Sequence, residues 1–327
     1  MQRREWLKLT IGTLAAGAFT GLWPKAAKAE AESVETMLAD APFDATRWHA
    51  ARRYLELPQG RVAYVERGAG AAALFLHGFP LNGFQWRGAL ERLSPYRRCI
   101  APDFLGLGYT EVADGQSVAP AAQVEMLIAL LDTLDIGQVD LIANDSGGAV
   151  AQLLVVRYPQ RVRSLLLTNC DAEIDCPPPA LQPVIELARK GQFVAQWLAP
   201  WLADRVLARS PQGLGGMTFT YPQRLGDETI EMYLRPLVER PERTHAYALG
   251  LDANVLAGVE STLRRRNLPT RIIWGTGDTI FSPESPGYLD KTFGNSQGVR
   301  HVPDAKLFFP EEFPDLIAEE ARRLWGV

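Results

Sequence analysis

The chain has 327 residues, 47% of them hydrophobic, 22% charged and 9% aromatic. This composition excludes a disordered chain, a collagen-like chain and a small scaffold held by disulfides. With 34 basic against 38 acidic side chains the formal charge is −4, so no basic excess exists to neutralise phosphates, and nucleic acid is excluded as a partner. Only four histidines occur, His49, His77, His245 and His301, and hydrolytic chemistry usually needs one.

Residues 1–29 read as an export signal. Arg3-Arg4-Glu5-Trp6-Leu7-Lys8 is a twin-arginine core, an apolar stretch follows over 9–23, and Ala27-Lys28-Ala29 is a small-x-small cleavage site. That layout points to the Tat route and a periplasmic or exported mature protein. The apolar core is about 15 residues, short of the ~20 needed to span a bilayer, and no membrane association is expected after cleavage. Cys99 sits in an apolar run. Cys170 and Cys176 flank a short loop and suit either a disulfide in an oxidising compartment or two free thiols. No Cys/His spacing resembles a metal site, and Gly68-Ala69-Gly70 alone is a turn, so no cofactor is implied.

Further along, β and α signals alternate. Residues 52–57 and 61–66 are short β runs around Pro58-Gln59-Gly60, a hairpin signal. The apolar run 71–76 ends at His77-Gly78-Phe79-Pro80 and suits a strand buried on both faces. Helical spacing follows over 86–93, a strand over 99–101, and a helix over 121–134 with Pro120 at its first position and Gly137 as its stop. A strand over 139–143, a helix over 147–158 and a strand over 162–167 continue the pattern. It resumes with a strand over 271–274, a helix near 284–292, a strand over 298–302 and a helix over 311–325. Repeated β-α units imply an α/β fold, with a mostly parallel sheet and helices on both faces. Sites in such sheets lie at the carboxyl ends of strands. The stretch 170–268 breaks the alternation and reads as an inserted helical cap, which leaves core segments at 30–169 and 269–327.

Ala143-Asn144-Asp145-Ser146-Gly147-Gly148 runs from a strand through a tight turn straight into a helix, the context of a nucleophile elbow. Two frames are open. Ser146 is central with Asn144 and Gly148 flanking, or Asp145 is central with Ala143 and Gly147 flanking. The second suits the crowded backbone better, because Ala is smaller than Asn.

With the elbow in place the chain resembles the α/β hydrolases over nearly all of its mature length. The pieces are His77-Gly78-Phe79-Pro80, then Ala101-Pro102-Asp103-Phe104-Leu105-Gly106-Leu107-Gly108, then the elbow. Tyr158-Pro159-Gln160-Arg161-Val162 and Trp274-Gly275-Thr276-Gly277-Asp278 follow. In the ungapped family frame from 139 to 159 the nucleophile position falls on Asp145, which resembles the haloalkane dehalogenase and epoxide hydrolase branch. The resemblance implies a carboxylate that attacks an sp3 carbon of a small apolar substrate and becomes an alkyl ester. It implies an oxyanion hole built from the backbone N–H groups of Phe79 and Ser146, and it assigns Asp278 as the acid that orients a base. His77 and Asp103 are expected to shape turns.

The chain departs from the family at the base. The family reads proline, two small residues, glycine, histidine and phenylalanine after the last strand; here Pro303-Asp304-Ala305-Lys306-Leu307-Phe308 puts Leu307 at the histidine position. Leucine moves no proton. His301 and His245 are candidate substitutes, though a sheet histidine facing a helix and a surface cap histidine are the plainer readings; His49 has no role. The halide-binding Asn and Trp of dehalogenases correspond to Phe79 and Ser146. Trp197 and Trp201 are candidate N–H donors, and Tyr221, Tyr233 and Tyr247 candidate acids for an epoxide oxygen. Three readings stay open: a dehalogenase- or epoxide-hydrolase-type enzyme with an altered base, a non-hydrolytic relative that binds its ligand, and an esterase using Ser146.

Overall fold

The computed structural model describes residues 42–327, so the export signal expected at 1–29 lies outside the described residues. Helix α1 (Ala45–Ala51) is capped by Asp44, whose carboxylate accepts from the Arg47 N–H at 2.9 Å. Strands β1 (Arg53–Leu57) and β2 (Gly60–Arg67) pair antiparallel across the Pro58-Gln59-Gly60 turn. β3 (Ala72–Leu76) is buried along its whole length, as its unbroken apolar run requires. Helix α2 (Arg87–Leu93), strand β4 (Arg98–Pro102) and the short β5 (Glu111–Val112) follow.

Helix α3 (Pro120–Thr133) begins with proline, whose missing N–H costs nothing there. It ends at Thr133, within one residue of the expected 134, but the residue that stops it is Asp135 and not Gly137. Asp135 takes φ +55° and closes a Schellman-type cap, with the Ile136 N–H donating to Leu131 O at 2.8 Å. Aspartate tolerates the left-handed region well enough to replace glycine at that position.

Strand β6 (Val139–Asp145) runs directly into α4 (Ser146–Arg157), and β7 (Val162–Cys170) follows. β7 extends to Cys170, three residues beyond the strand expected over 162–167. Seven helices occupy the stretch between β7 and β8. They are α5 (Gln182–Arg189), α6 (Ala199–Ala203), α7 (Arg205–Arg209), α8 (Leu214–Thr218), α9 (Asp227–Glu239), α10 (Pro241–Gly250) and α11 (Glu260–Arg264). We call this stretch the cap. A π-helical turn, Val194–Leu198, lies within it. The core resumes with β8 (Pro269–Gly275), α12 (Ser285–Thr292) and β9 (Asn295–Val302). The single terminal helix expected over 311–325 is two, α13 (Phe309–Glu312) and α14 (Pro314–Trp325), because proline at 314 cannot continue the first.

The sheet has nine strands in the order β1-β2-β4-β3-β6-β7-β8-β9, with β5 paired to β2. Every pairing from β4 to β9 is parallel, and the first two strands are antiparallel. This is the α/β hydrolase fold, a mostly parallel sheet with helices on both faces. The direction of winding reverses between β3 and β6, and in open α/β sheets such a switch point leaves a crevice at the carboxyl ends of the strands. The two segments that leave those ends are His77-Gly78-Phe79 and Asp145-Ser146.

Close approach at this crevice demands a glycine at 147. A Cβ there would meet His77 O at 2.6 Å and Leu76 O at 2.7 Å, both backbone atoms that cannot swing aside. Gly147→Ala is therefore expected to destabilise the chain by roughly 1–3 kcal/mol. Gly287→Ala in α12, where nothing lies within 4 Å, should stabilise by about 0.5–1 kcal/mol through helix propensity. Urea midpoints of the two variants check the contrast.

Candidate active site

Asp145 stands at the apex of the elbow. Its backbone adopts φ +54°, ψ −133°, a conformation that a non-glycine residue holds only under constraint from its surroundings. The residue is 8% exposed. Its Oδ2 accepts the Phe79 N–H at 2.7 Å, and the Ser146 N–H donates to the same carboxyl. Both N–H groups that the resemblance assigns to an oxyanion hole therefore donate to the carboxyl of Asp145 itself. Gly78 permits this, since a Cβ at that position would lie 2.5 Å from Asp145 Oδ2. Burial pushes the Asp145 pKa up to about 7, against the two N–H donors, and the charge of Asp278 adds to the rise. Ser146 sits one residue beyond the apex, and its Oγ lies 3.4 Å from Tyr247 Oη.

A buried amide network holds the segments around the elbow. Gln85 Oε1 accepts from the Gly78 N–H at 3.1 Å, while Gln85 Nε2 donates to Asn144 Oδ1 at 2.6 Å. Asn144 Nδ2 donates to Asn169 O and to Leu307 O, each at 3.1 Å. Asn169 bonds both the N–H and the C=O of Gly275, and its Nδ2 also donates to Asp278 Oδ2 at 2.8 Å. Three side-chain amides thus tie the ends of β3, β6, β7 and β8 to the loop carrying Leu307. Asp278 receives the N–H groups of Ile280 and Phe281 as well, so its carboxyl is satisfied without any imidazole.

His77 is fully buried and structural. The Phe104 N–H donates to its Nε2 at 3.0 Å, and its Nδ1 donates to Gly78 O at 2.9 Å. Those partners require the neutral ring, and burial lowers its pKa to about 4. Asp103 likewise receives the N–H groups of Gly83 and Tyr109 at 2.8 Å each and shapes its turn.

A cavity of about 90 Å³ is lined by Asp145, Ser146, Phe79 and Leu307 on the core side. Cap residues close it, among them Val184, Phe193, Trp197, Trp201, Leu214 and Met217. Phe79, Phe193, Trp197 and Trp201 form a continuous aromatic wall with centroid spacings of 5.9, 5.7 and 5.6 Å. Leu307 is 3% exposed and adds an apolar residue to the cavity wall. No histidine lines this cavity. His245 lies on α10 and accepts the Val194 N–H at 3.2 Å. His301 is exposed on the edge strand β9, so it faces solvent and not a helix as expected. His49 contacts Arg52 and Tyr109.

Of the three tyrosines singled out from the sequence, Tyr221 packs on Phe313 and Tyr233 donates to Glu311. Only Tyr247 reaches the elbow, stacked on Phe79 at 5.3 Å. Cys99, Cys170 and Cys176 are all buried free thiols. The sequence reading missed Asp171, a second carboxyl on the same cavity, 6% exposed. Its signal was available: β7 is parallel to the elbow strand, and its last residues arrive beside Asp145.

Residues 73–313 match the family described as alpha/beta hydrolase fold. The chain is 26% identical over 279 residues to haloalkane dehalogenase 2 of Mycobacterium tuberculosis, covering 81% of this chain and 92% of that protein. Among solved structures it is similar to a thermophilic esterase from Thermogutta terrifontis, with 26% identity, TM-score 0.68, and coverage of 84% of this chain and 98% of that one. It also shares its fold with epoxide hydrolase CorEH, with 19% identity, TM-score 0.69, and coverage of 84% and 98%.

The raised pKa of Asp145 makes a stability prediction. Between the unfolded value of 3.8 and the folded value of about 7 the native state holds the extra proton, so stability falls as pH rises through that window. Above pH 7 the ionised carboxyl costs roughly 2–4 kcal/mol. Asp145→Asn is expected to raise the melting temperature at pH 8, with the gain vanishing toward pH 4. Calorimetry across that range checks it.

Proposed function

Starting from a chain that belongs to the alpha/beta hydrolase fold family, we propose a haloalkane dehalogenase-like hydrolase in which the Asp145 carboxylate attacks an sp3 carbon of a small apolar substrate. The observation that carries this reading is the hold on Asp145. Oδ2 accepts the Phe79 N–H and Asp145 lines an apolar cavity, and in this reading the other oxygen makes the attack. As the Asp145–carbon bond forms, the bond to the halogen breaks and halide departs with the electron pair. The product is an alkyl ester whose carbonyl oxygen stays against the Phe79 and Ser146 N–H groups. Trp197 and Trp201 line the cavity, and neither indole N–H has a hydrogen-bond partner among the described residues, which suits them to the leaving halide. We further propose that the protein works outside the cytoplasmic membrane, exported through residues 1–29.

Release of the ester requires water to lose a proton, and Leu307 cannot accept one. This favours ester formation that outruns hydrolysis for haloalkanes. The same residue supports a second reading, a relative that binds its ligand without turnover. The Ser146 esterase reading is weakened because the hydroxyl lies off the apex, near Tyr247, with no imidazole beside it.

Incubation with a short 1-bromoalkane is expected to add one alkyl mass at Asp145, seen by intact-protein and peptide mass spectrometry. Asp145→Ala should abolish the adduct. Leu307→His should raise steady-state halide release by about 10²-fold or more, the usual worth of a positioned base. Absence of any adduct from haloalkanes and epoxides alike, with ligand-induced stabilisation unchanged in Asp145→Asn, would establish the binding reading instead. Labelling of Ser146 by an organophosphonate would restore the esterase.

A further inference from the structure

Asp171 is the first residue beyond β7, and β7 lies parallel to β6 with Cys170 directly opposite Asp145. Adjacent strands are about 4.8 Å apart, so Asp145 and Asp171 leave neighbouring strand tips and both line the cavity. Gln152 Nε2 donates to Asp171 O at 2.8 Å and fixes that backbone. The Asp171 carboxyl shares a hydrogen bond with the Cys176 thiol. Among the described residues no lysine or arginine pairs with either carboxyl. Burial raises the Asp171 pKa well above the carboxylate range, and the charge on Asp145 raises it further. Two carboxyls in one apolar chamber without a cation cannot both ionise cheaply, and one proton between them is the stable state.

We propose that Asp171 is the proton donor and then the water-activating base for ring opening of epoxides by Asp145. The proposal rests on Asp145 as nucleophile and supplies the group that Leu307 does not. In the first step an Asp145 oxygen bonds to a ring carbon as that carbon's bond to the ring oxygen breaks. The ring oxygen takes the electron pair and the Asp171 proton. The enzyme then carries a hydroxyalkyl ester on Asp145 and a carboxylate at Asp171. Loss of the Asp145 charge makes that ionisation affordable in a buried site. In the second step water adds to the ester carbon and its proton passes to Asp171. The tetrahedral intermediate expels the alkyl oxygen, which takes the remaining carboxyl proton. One epoxide and one water become one vicinal diol, with Asp145 again ionised and Asp171 again protonated.

The scheme separates substrate classes. A departing halide is too weak a base to take the Asp171 proton, so a haloalkane leaves Asp171 protonated and unable to activate water. Tyr247 does not line the cavity and does not serve as the donor.

The test uses the full chain with a short terminal epoxide and, separately, the matching 1-bromoalkane, following diol release and protein mass. The wild type is expected to turn over the epoxide many times and to stall as the alkyl ester with the bromoalkane. Asp171→Asn should slow diol release 10²–10⁴-fold and accumulate the hydroxyalkyl ester, while still accepting an alkyl group from the bromoalkane, which shows that the chamber forms. Asp171→Glu should recover part of the rate with a shifted pH profile. Diol release by Asp171→Asn within twofold of wild type overturns the proposal. So does a wild type that is alkylated by both reagents and releases neither; in both cases Asp145 stands as nucleophile. No adduct from either reagent, with no diol formed, removes the nucleophile and this proposal together.

Discussion

The structure depends on one costly arrangement: an aspartate carboxyl kept out of water and held by main-chain N–H groups from two segments far apart in sequence. Phe79 and Asp145 are separated by 66 positions, yet N–H and Oδ2 meet at 2.7 Å. That contact requires Gly78, because any Cβ would strike the carboxyl, and Gly147, because any Cβ would strike the backbone leaving β3. It also requires the positive φ at Asp145 itself. Burying a charge with only dipoles for company is unfavourable, and the raised pKa of Asp145 expresses that cost.

The surrounding scaffold is built from amides where charges would add to the burden. Gln85, Asn144 and Asn169 are each buried and hydrogen-bonded to several segments. Removing a partner from such a network leaves unsatisfied groups in a low dielectric, which makes the geometry of the elbow insensitive to whether an imidazole is present. Leu307 shows the result. Its carbonyl remains in the network while its side chain joins the cavity wall. Asp278, satisfied by Asn169, Ile280 and Phe281, keeps its place without a base to orient.

The core strands and the Asp145 bend are framed by the surface that the cap and Phe79 turn toward them. Here the facing surface is aromatic and aliphatic, drawn from the cap and from Phe79. Such walls exclude water and offer few directed hydrogen bonds, and Asp145, Ser146 and Asp171 are among the polar residues that interrupt them.

Much of this was legible in the residues. Alternating apolar runs specify the strands and helices because backbone hydrogen bonding and burial act locally. The elbow is visible because only small residues fit around it. Other features answer to distance across the sheet. Which tyrosine reaches the elbow, that His245 and His301 stay away, and that Asp171 shares the chamber follow from parallel register and cap packing between residues up to a hundred positions apart. Periodicity records which side of an element is apolar; it does not record which other element that side meets. The sequence by itself therefore determined the fold and the bend that carries the carboxylate. The tertiary structure alone decided what surrounds it, because the burial of the carboxyl and the identity of its neighbours are properties of several chain segments brought together.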